Sequence, residues 1–289
     1  MFLGTPEPAV TSLRSLVEAG FDIVLVVSRP DRRRSRGTDV SASPVKTAAL
    51  ELGLPVTDAV DDAVGVDADL GVVVAYGQIL RAPVLEALPM VNVHFSLLPR
   101  WRGAAPVERA ILAGDEATGV CVMQVVAALD AGGVYASTEV PIGPRTTAAE
   151  LTVGLAQVGA ELLVSTLTDG LGEPAPQEGE ASYAAKITSD DLHLDWTRPA
   201  TELGRLVRIG GAWTTVRGER LRVWVATTVE GDAAAVVPGL VHVDGEGVRV
   251  AAGQGALVLD EVQPAGRSRQ SADAWARGAR LAADETLGP

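Results

Sequence analysis

The sequence predicts an α/β protein: an open, mostly parallel sheet with helices through the first 170 residues, then a small β-barrel or sandwich. Three observations predict it. From the amino terminus to about residue 168, short apolar runs alternate with helical patterns, as in a sheet buried on both faces. Between residues 170 and 180 the chain turns rich in Gly, Pro and Glu, with little to bury. Beyond Trp196, short β-like runs follow one another closely, separated by Gly and Asp. With 289 residues, 47% hydrophobic and 21% charged, the chain can bury one large core or two moderate ones.

Met1-Phe2-Leu3 makes a short first strand that runs into Gly4-Thr5-Pro6-Glu7. Residues 21–27 suit a buried parallel strand, and 42–52, with Pro44 near the start, suit a helix. A second buried strand follows at 70–76, and a short helix at 82–88. Residues 91–94 form another strand ahead of a Pro/Arg-rich loop. Then come a helix at 106–112, a strand at 120–126 and a long helix at 148–167. In the carboxyl-terminal part, 200–209 reads as a helix and 221–228, 236–243, 247–251 and 256–262 as strands; a capped helix closes the chain at 271–283. The expected division is an α/β domain at 1–172, a linker at 173–195 and a β domain at 196–289.

The formal charge is −13, which excludes a protein that binds nucleic acid with its whole surface. The charge is uneven. Residues 1–195 hold 13 basic and 26 acidic side chains, whereas 196–289 hold 11 of each. Two arginine islands break the pattern, one at 29–36 with five arginines and one at 196–222 with six. Such runs are usually solvated faces, but here they leave room for a local anionic partner. The single Cys121 excludes an internal disulfide, and three scattered histidines offer no zinc cluster. No export signal is visible at Met1-Phe2-Leu3, and apolar runs such as 70–75 are strand-sized. A cytoplasmic protein without membrane contact is expected.

Several common motifs are missing. Gly4-Thr5-Pro6-Glu7 is not a dinucleotide fingerprint, and Pro6 lacks the N–H a phosphate cradle would use. With only Lys46 and Lys186 there is no phosphate-binding G-x-x-x-x-G-K loop; no G-x-S-x-G elbow and no H-E-x-x-H occur. The informative segment begins at Asn92-Val93-His94. Residues two apart on a strand share a face, so Asn92 and His94 lie side by side at the carboxyl end, where open α/β sheets bind ligands. An amide donor beside an imidazole suits a carbonyl that becomes an oxyanion. A lone histidine is more often a hydrogen-bonded core residue, though the long Pro-Arg-Gly loop after it raises the functional odds. Asp130, in Leu129-Asp130-Ala131-Gly132-Gly133, is the carboxylate best placed to orient His94, although Asp-x-Gly is by itself a turn signature.

Together these residues resemble the folate-dependent formyltransferase family, over nearly the whole chain. The resemblance rests on Gly4-Thr5-Pro6-Glu7, Arg29-Pro30-Asp31 with Arg36-Gly37, Ser43-Pro44-Val45-Lys46 and Ala75-Tyr76-Gly77-Gln78-Ile79-Leu80. Above all it rests on Asn92-x-His94 with Ser96-Leu97-Leu98-Pro99-Arg100-Trp101-Arg102-Gly103-Ala104-Ala105-Pro106, then Thr118-Gly119-Val120 and Leu129-Asp130-x-Gly132. Trp101 to Pro106, Tyr183-Ala184-x-Lys186-Ile187 and Gly278-Ala279-Arg280-Leu281 favour its tRNA branch.

The resemblance implies a Rossmann-like formyltransferase domain followed by an OB-like β-barrel. It implies transfer of a formyl group from the co-substrate 10-formyltetrahydrofolate to the α-amino group of methionine on initiator tRNA, for translation initiation. It implies Asn92, His94 and Asp130 as catalytic residues and a folate pocket at Ser96, Leu97, Leu98 and Pro99. Tyr76, Gly77, Ile79 and Leu80 would help wall that pocket. Arg34 and Arg36, with Arg205 and Arg208 of the second island, would meet the tRNA. A monomer and no metal are expected. Phe95 stands where many relatives carry a small residue, so it is expected to narrow the pocket wall. The rival readings are an N-formyltransferase for a nucleotide-linked amino sugar and a non-catalytic folate- or RNA-binding module.

Overall fold

The computed structural model describes residues 1–33, 40–231, 237–245, 247–282 and 284–288. The chain forms two compact units. The first comprises Met1–Arg109, Glu116–Ile142 and Glu150–Lys186; the second comprises Ala110–Asp115, Gly143–Ala149 and Ile187–Pro289.

The first unit is built on seven strands: β1 Phe2–Gly4, β2 Val26–Val27, β3 Val56–Thr57, β4 Gly71–Val74, β5 Met90–His94, β6 Ala117–Gln124 and β7 Val134–Pro141. Their order across the sheet is β7-β6-β5-β4-β1-β2-β3. Strands β3-β2-β1-β4-β5 are parallel, and β6 and β7 extend the sheet antiparallel. The order reverses between β1 and β4, which makes the carboxyl ends of these strands a natural ligand edge, and β5 lies next to β4 on the same edge. Helices α1 Glu7–Glu18, α2 Pro44–Glu51, α3 Ala82–Ala87, α4 Pro106–Ala113 and α5 Ala148–Thr168 complete the connections. Ser43 caps α2 by accepting the Lys46 N–H, with Pro44 in its first turn.

Three expectations change here. Residues 21–25 are not strand, because three-residue β1 offers Val26 and Val27 only Phe2 and Leu3 as partners. Helix α1 is not among the expected elements; its buried stripe of Ala9, Val10, Leu13 and Leu16 is short and follows Pro6 and Pro8. Edge strand β7 is likewise new, being half exposed along its length and carrying no apolar run.

A further correction concerns α5, which at 21 residues is long and apolar enough to cross a membrane. Leu151, Leu155, Ala156, Ala160 and Leu163 on it are nevertheless buried. Gly159 lies so close to Val93 and Val120 that a Cβ there would come within 2.9 and 3.1 Å of them, so the helix packs on the sheet.

The second unit carries β8 Trp213–Val216, β9 Glu219–Val229, β10 Val241–Asp244, β11 Gly247–Ala251, β12 Ala256–Pro264 and β13 Gln270–Ser271. They form an antiparallel sheet in the order β8-β9-β12-β11-β10, with β13 on β12. Helices α6 Ala200–Ile209 and α7 Ala272–Ala279 contribute to its core, where Leu203, Leu206 and Trp275 join Leu221, Val223, Val248, Leu257 and Val262. Along β9, Leu221 and Val223 face inward while Arg220 and Arg222 are exposed. Strand β10 is shorter than the expected 236–243, whose first residue lies outside the described residues. Helix α7 stops at Ala279, where Arg280 turns left-handed at φ 49°.

Candidate active site

Asn92 and His94 sit at the end of β5, flanked by β4 and β6: Asn92 is in register with Val73 and Met123, His94 with Cys121. His94 is 5% exposed and Asn92 half-buried. Phe95 follows on the opposite face, against Gly159 of α5, so it fills the helix layer and does not narrow a pocket wall.

The loop after β5 is held by its own backbone. Ser96, fully buried, donates its hydroxyl to Arg100 O at 2.6 Å, and Arg100 N–H returns to Leu97 O. The Leu98 N–H points at Cys121 Sγ, 3.5 Å away, and burial pushes that thiol up. Trp101 is left-handed at φ 60°, which turns its carbonyl to His94 Nε2 at 2.9 Å. A carbonyl only accepts, so Nε2 carries the proton and Nδ1 is left facing Asp130.

Asp130 Oδ2 lies 3.7 Å from His94 Nδ1 and accepts the Gly103 N–H at 2.8 Å. The first distance is too long for a hydrogen bond, and less than 1 Å of movement would make one, in keeping with catalytic contacts that tighten on binding. Asp130 itself is left-handed, φ 47°, as is Ala75, φ 46°, at the end of β4. Three of the five left-handed non-glycine residues among those described therefore cluster at this edge. Each such conformation costs on the order of 1–3 kcal/mol and persists only where the surroundings impose it, typically at functional sites.

The residues expected to wall a folate pocket divide. Gly77 and Ile79 are exposed, Ile79 at 91%. Tyr76 instead points into the apolar cluster of Met1, Leu3, Val27 and Val84, with its hydroxyl unpartnered among the described residues and its phenol pushed up by burial. Leu80 packs on the same cluster. Leu97, Leu98 and Pro99 are half-buried in the loop, whereas the Ser96 hydroxyl is already occupied.

Arg34 and Arg36 lie outside the described residues. Arg208 donates Nη1 to the carbonyls of Gly143 and Thr146 at 3.0 and 3.2 Å, and desolvation lowers its pKa. The guanidinium of Arg205 lies over Gly114. Both have structural partners within the second unit. Arg208→Ala should therefore lower the melting temperature, at a cost of about 1–3 kcal/mol for the Thr146 carbonyl left unmatched, since Gly143 O keeps the Thr146 N–H, with little change in affinity for RNA. Thermal unfolding and a filter-binding titration would check both halves.

A better exposed cationic surface lies on β9 and β12. Arg220 stacks 3.9 Å from the Trp213 ring centroid, and Arg269 lies 5.1 Å from that of Trp224. A shallow pocket of about 260 Å³ is lined by Arg220, Arg222, Gln263, Pro264, Ala265 and Gly266. The arginine island contained Arg220 and Arg222; their strand alternation was the signal that set them apart from Arg205 and Arg208.

Comparison with known proteins decides the family. The model of the formyl transferase family matches residues 2–167, and that of the formyl transferase C-terminal domain matches 186–280. The chain belongs to the formyl transferase family. Among its relatives, the methionyl-tRNA formyltransferase of Symbiobacterium thermophilum is 46% identical, covering 96% of this chain and 91% of that protein. That of Thiobacillus denitrificans is 45% identical over 100% of this chain and 99% of the relative. In fold, the chain is similar to the N-formyltransferase of Helicobacter canadensis, solved with folinic acid and dTDP-3-aminofucose. The TM-score is 0.69, at 17% identity over 89% of this chain and 97% of that one. The two matched stretches of this formyl transferase leave residues 168–185 between them.

Proposed function

We propose that the protein transfers the formyl group of 10-formyltetrahydrofolate to the α-amino group of methionine on initiator tRNA, for translation initiation. The observation that carries this reading is the convergence of Asn92, His94 and Asp130 at the carboxyl edge of the parallel strands, in a chain related along its full length to methionyl-tRNA formyltransferases. The co-substrate supplies the formyl carbon, and the exposed Ile79 with half-buried Leu97 and Leu98 offers the apolar surface a folate ring needs. The α/β unit carries the chemistry in this reading, within the expected 1–172, and 196–289 helps hold the tRNA.

Attack by the neutral amine makes one C–N bond, places negative charge on the formyl oxygen and ends with cleavage of the bond to folate N10. Asn92, through its side-chain amide, and His94, through Nδ1–H once the ring has taken the proton the attacking amine loses, act as donors for that oxygen. Nδ1 is the nitrogen available, because Trp101 O holds Nε2. Asp130 supports the charged ring and passes the proton lost by the amine towards N10, directly or through water. The protein works as a cytoplasmic monomer without metal or membrane contact.

Arg220 and Arg222 are the arginines of the second island best presented to tRNA phosphates. Arg220→Ala and Arg222→Ala should each weaken tRNA binding, leave kcat unchanged and reduce the salt dependence of log KM by about 1 per lost phosphate contact. Steady-state kinetics across a salt series would test this.

The second reading, formylation of a nucleotide-linked amino sugar, draws on the fold shared with the Helicobacter canadensis enzyme. A filter assay with labelled 10-formyltetrahydrofolate decides between them. Formylation of initiator methionyl-tRNA and none of a dTDP-amino sugar is the expected result. The converse would favour the sugar, and no product from either would favour a binding module.

A further inference from the structure

Gln177 belongs to no motif described above and falls between the two stretches matched by the family models. Its side chain is nonetheless fully engaged at the site. Oε1 accepts from Arg102 Nε at 3.0 Å and Nη2 at 2.6 Å. Nε2 donates to the carbonyls of Asp130 and Gly132, both at 2.8 Å. Only one orientation of the amide satisfies all four contacts, since a guanidinium only donates and a carbonyl only accepts. The amide has no further hydrogen-bonding capacity to give.

The two segments it joins are the two that present the catalytic groups. Arg102 follows Trp101, whose carbonyl fixes the His94 ring, and precedes Gly103, whose N–H holds the Asp130 carboxylate. The carbonyls of Asp130 and Gly132 belong to the turn that carries that carboxylate in its left-handed conformation. Gln177 thus ties the Arg102 side chain, on the segment that serves both His94 and the Asp130 carboxylate, to the backbone of the turn that carries Asp130.

Its neighbours lay the same segment against the same two loops. Ala175 and Val134 exchange both backbone hydrogen bonds, and Tyr183–Ala184 pairs in parallel with Arg102–Gly103. Ser182 accepts the Trp101 N–H on its hydroxyl and the Arg102 N–H on its carbonyl. Gly133 leaves the space this requires: a Cβ there would meet Pro174 Cβ at 2.8 Å.

We infer that Gln177 is a positioning residue for formyl transfer, setting the separation and orientation of Asp130 relative to His94. The inference rests on the assignment of Asn92, His94 and Asp130 as the reacting centre. It requires that loss of the amide change turnover more than substrate binding, and that the change act through Asp130.

Gln177→Met keeps the length of the side chain and removes all four hydrogen bonds. It should lower kcat about 10- to 100-fold, as expected when a reacting group shifts by up to 1 Å, with KM for both substrates nearly unchanged. On an Asp130→Ala background the same substitution should cost little more, because its effect is already lost. An activity-independent reading comes from amide hydrogen exchange. The Gly103 N–H, bonded to the Asp130 carboxylate, should exchange at least about tenfold faster in Gln177→Met while the β5 amides keep their protection.

Should Gln177→Met fail to fold, Gln177→Glu is measured in the same ways. It keeps a partner for Arg102 but sets an acceptor against the two carbonyls, and it should lose at least as much kcat. Unchanged kcat, losses that multiply with Asp130→Ala, or unaltered Gly103 exchange would overturn the inference. A wild-type protein that formylates no methionyl-tRNA would instead overturn the functional reading, and the exchange measurement would still judge Gln177.

Discussion

His94→Ala should slow formyl transfer about 100- to 1000-fold at saturating substrates, and Asn92→Ala should act similarly, the range found when one donor to a developing oxyanion is removed. The geometry explains why so much depends on one ring. The imidazole is almost fully buried, its Nε2 held by Trp101 O and its Nδ1 aimed at Asp130. A ring locked in this way needs no reorientation when charge appears, and no water can take its place without finding the same partners. KM for methionyl-tRNA should move little, because the contact strengthens only as the oxygen becomes charged. Single-turnover rates measured beside melting curves separate this effect from local collapse around an unpaired Trp101 carbonyl. A folded His94→Ala protein with near-wild-type turnover would remove His94 from the mechanism.

The pairing of Asn92 with His94 was legible in the sequence because it depends only on strand alternation, and alternation is local. Helix α6 and strand β11 were legible for the same reason: their patterns are strong and complete within ten residues. Contacts that depend on chain returning from far away were not. Nothing near His94 announces that Trp101 turns left-handed to hold its ring, nor that Ser96 spends its hydroxyl on Arg100. Gln177 sits 47 residues beyond the aspartate whose backbone it holds, in a stretch whose Gly, Pro and Glu content suggests only a linker. Charge misled in a different way. Arg205, Arg208, Arg220 and Arg222 are alike in a count, yet Arg208 satisfies two carbonyls while Arg220 and Arg222 stand exposed on a strand. Composition reports that arginines are present, and packing decides which of them remain available.

Gly132→Ala should be the most damaging single-methyl change near the site. A Cβ at Gly132 would stand 1.9 Å from Gln124 O, a backbone atom at the end of β6 that cannot rotate away. Retreat of the turn is blocked on both sides, since Gln124 N–H bonds Gly133 O at 2.8 Å and Gln177 holds Gly132 O. Overpacking of this kind costs about 3 kcal/mol, or a melting temperature lower by roughly 6–12 °C in a unit of this size. Because the same turn carries Asp130, kcat should fall even at temperatures where the protein remains folded. Gly154→Ala supplies the control. It adds the same methyl group to the middle of α5, where nothing lies within 4 Å, and should stabilise by about 0.5–1 kcal/mol through helix propensity. Opposite shifts in melting temperature for the two variants are the expected result. Equal shifts would mean that the turn at Gly132 can yield, and Asp130 would then lack the rigid support its role requires.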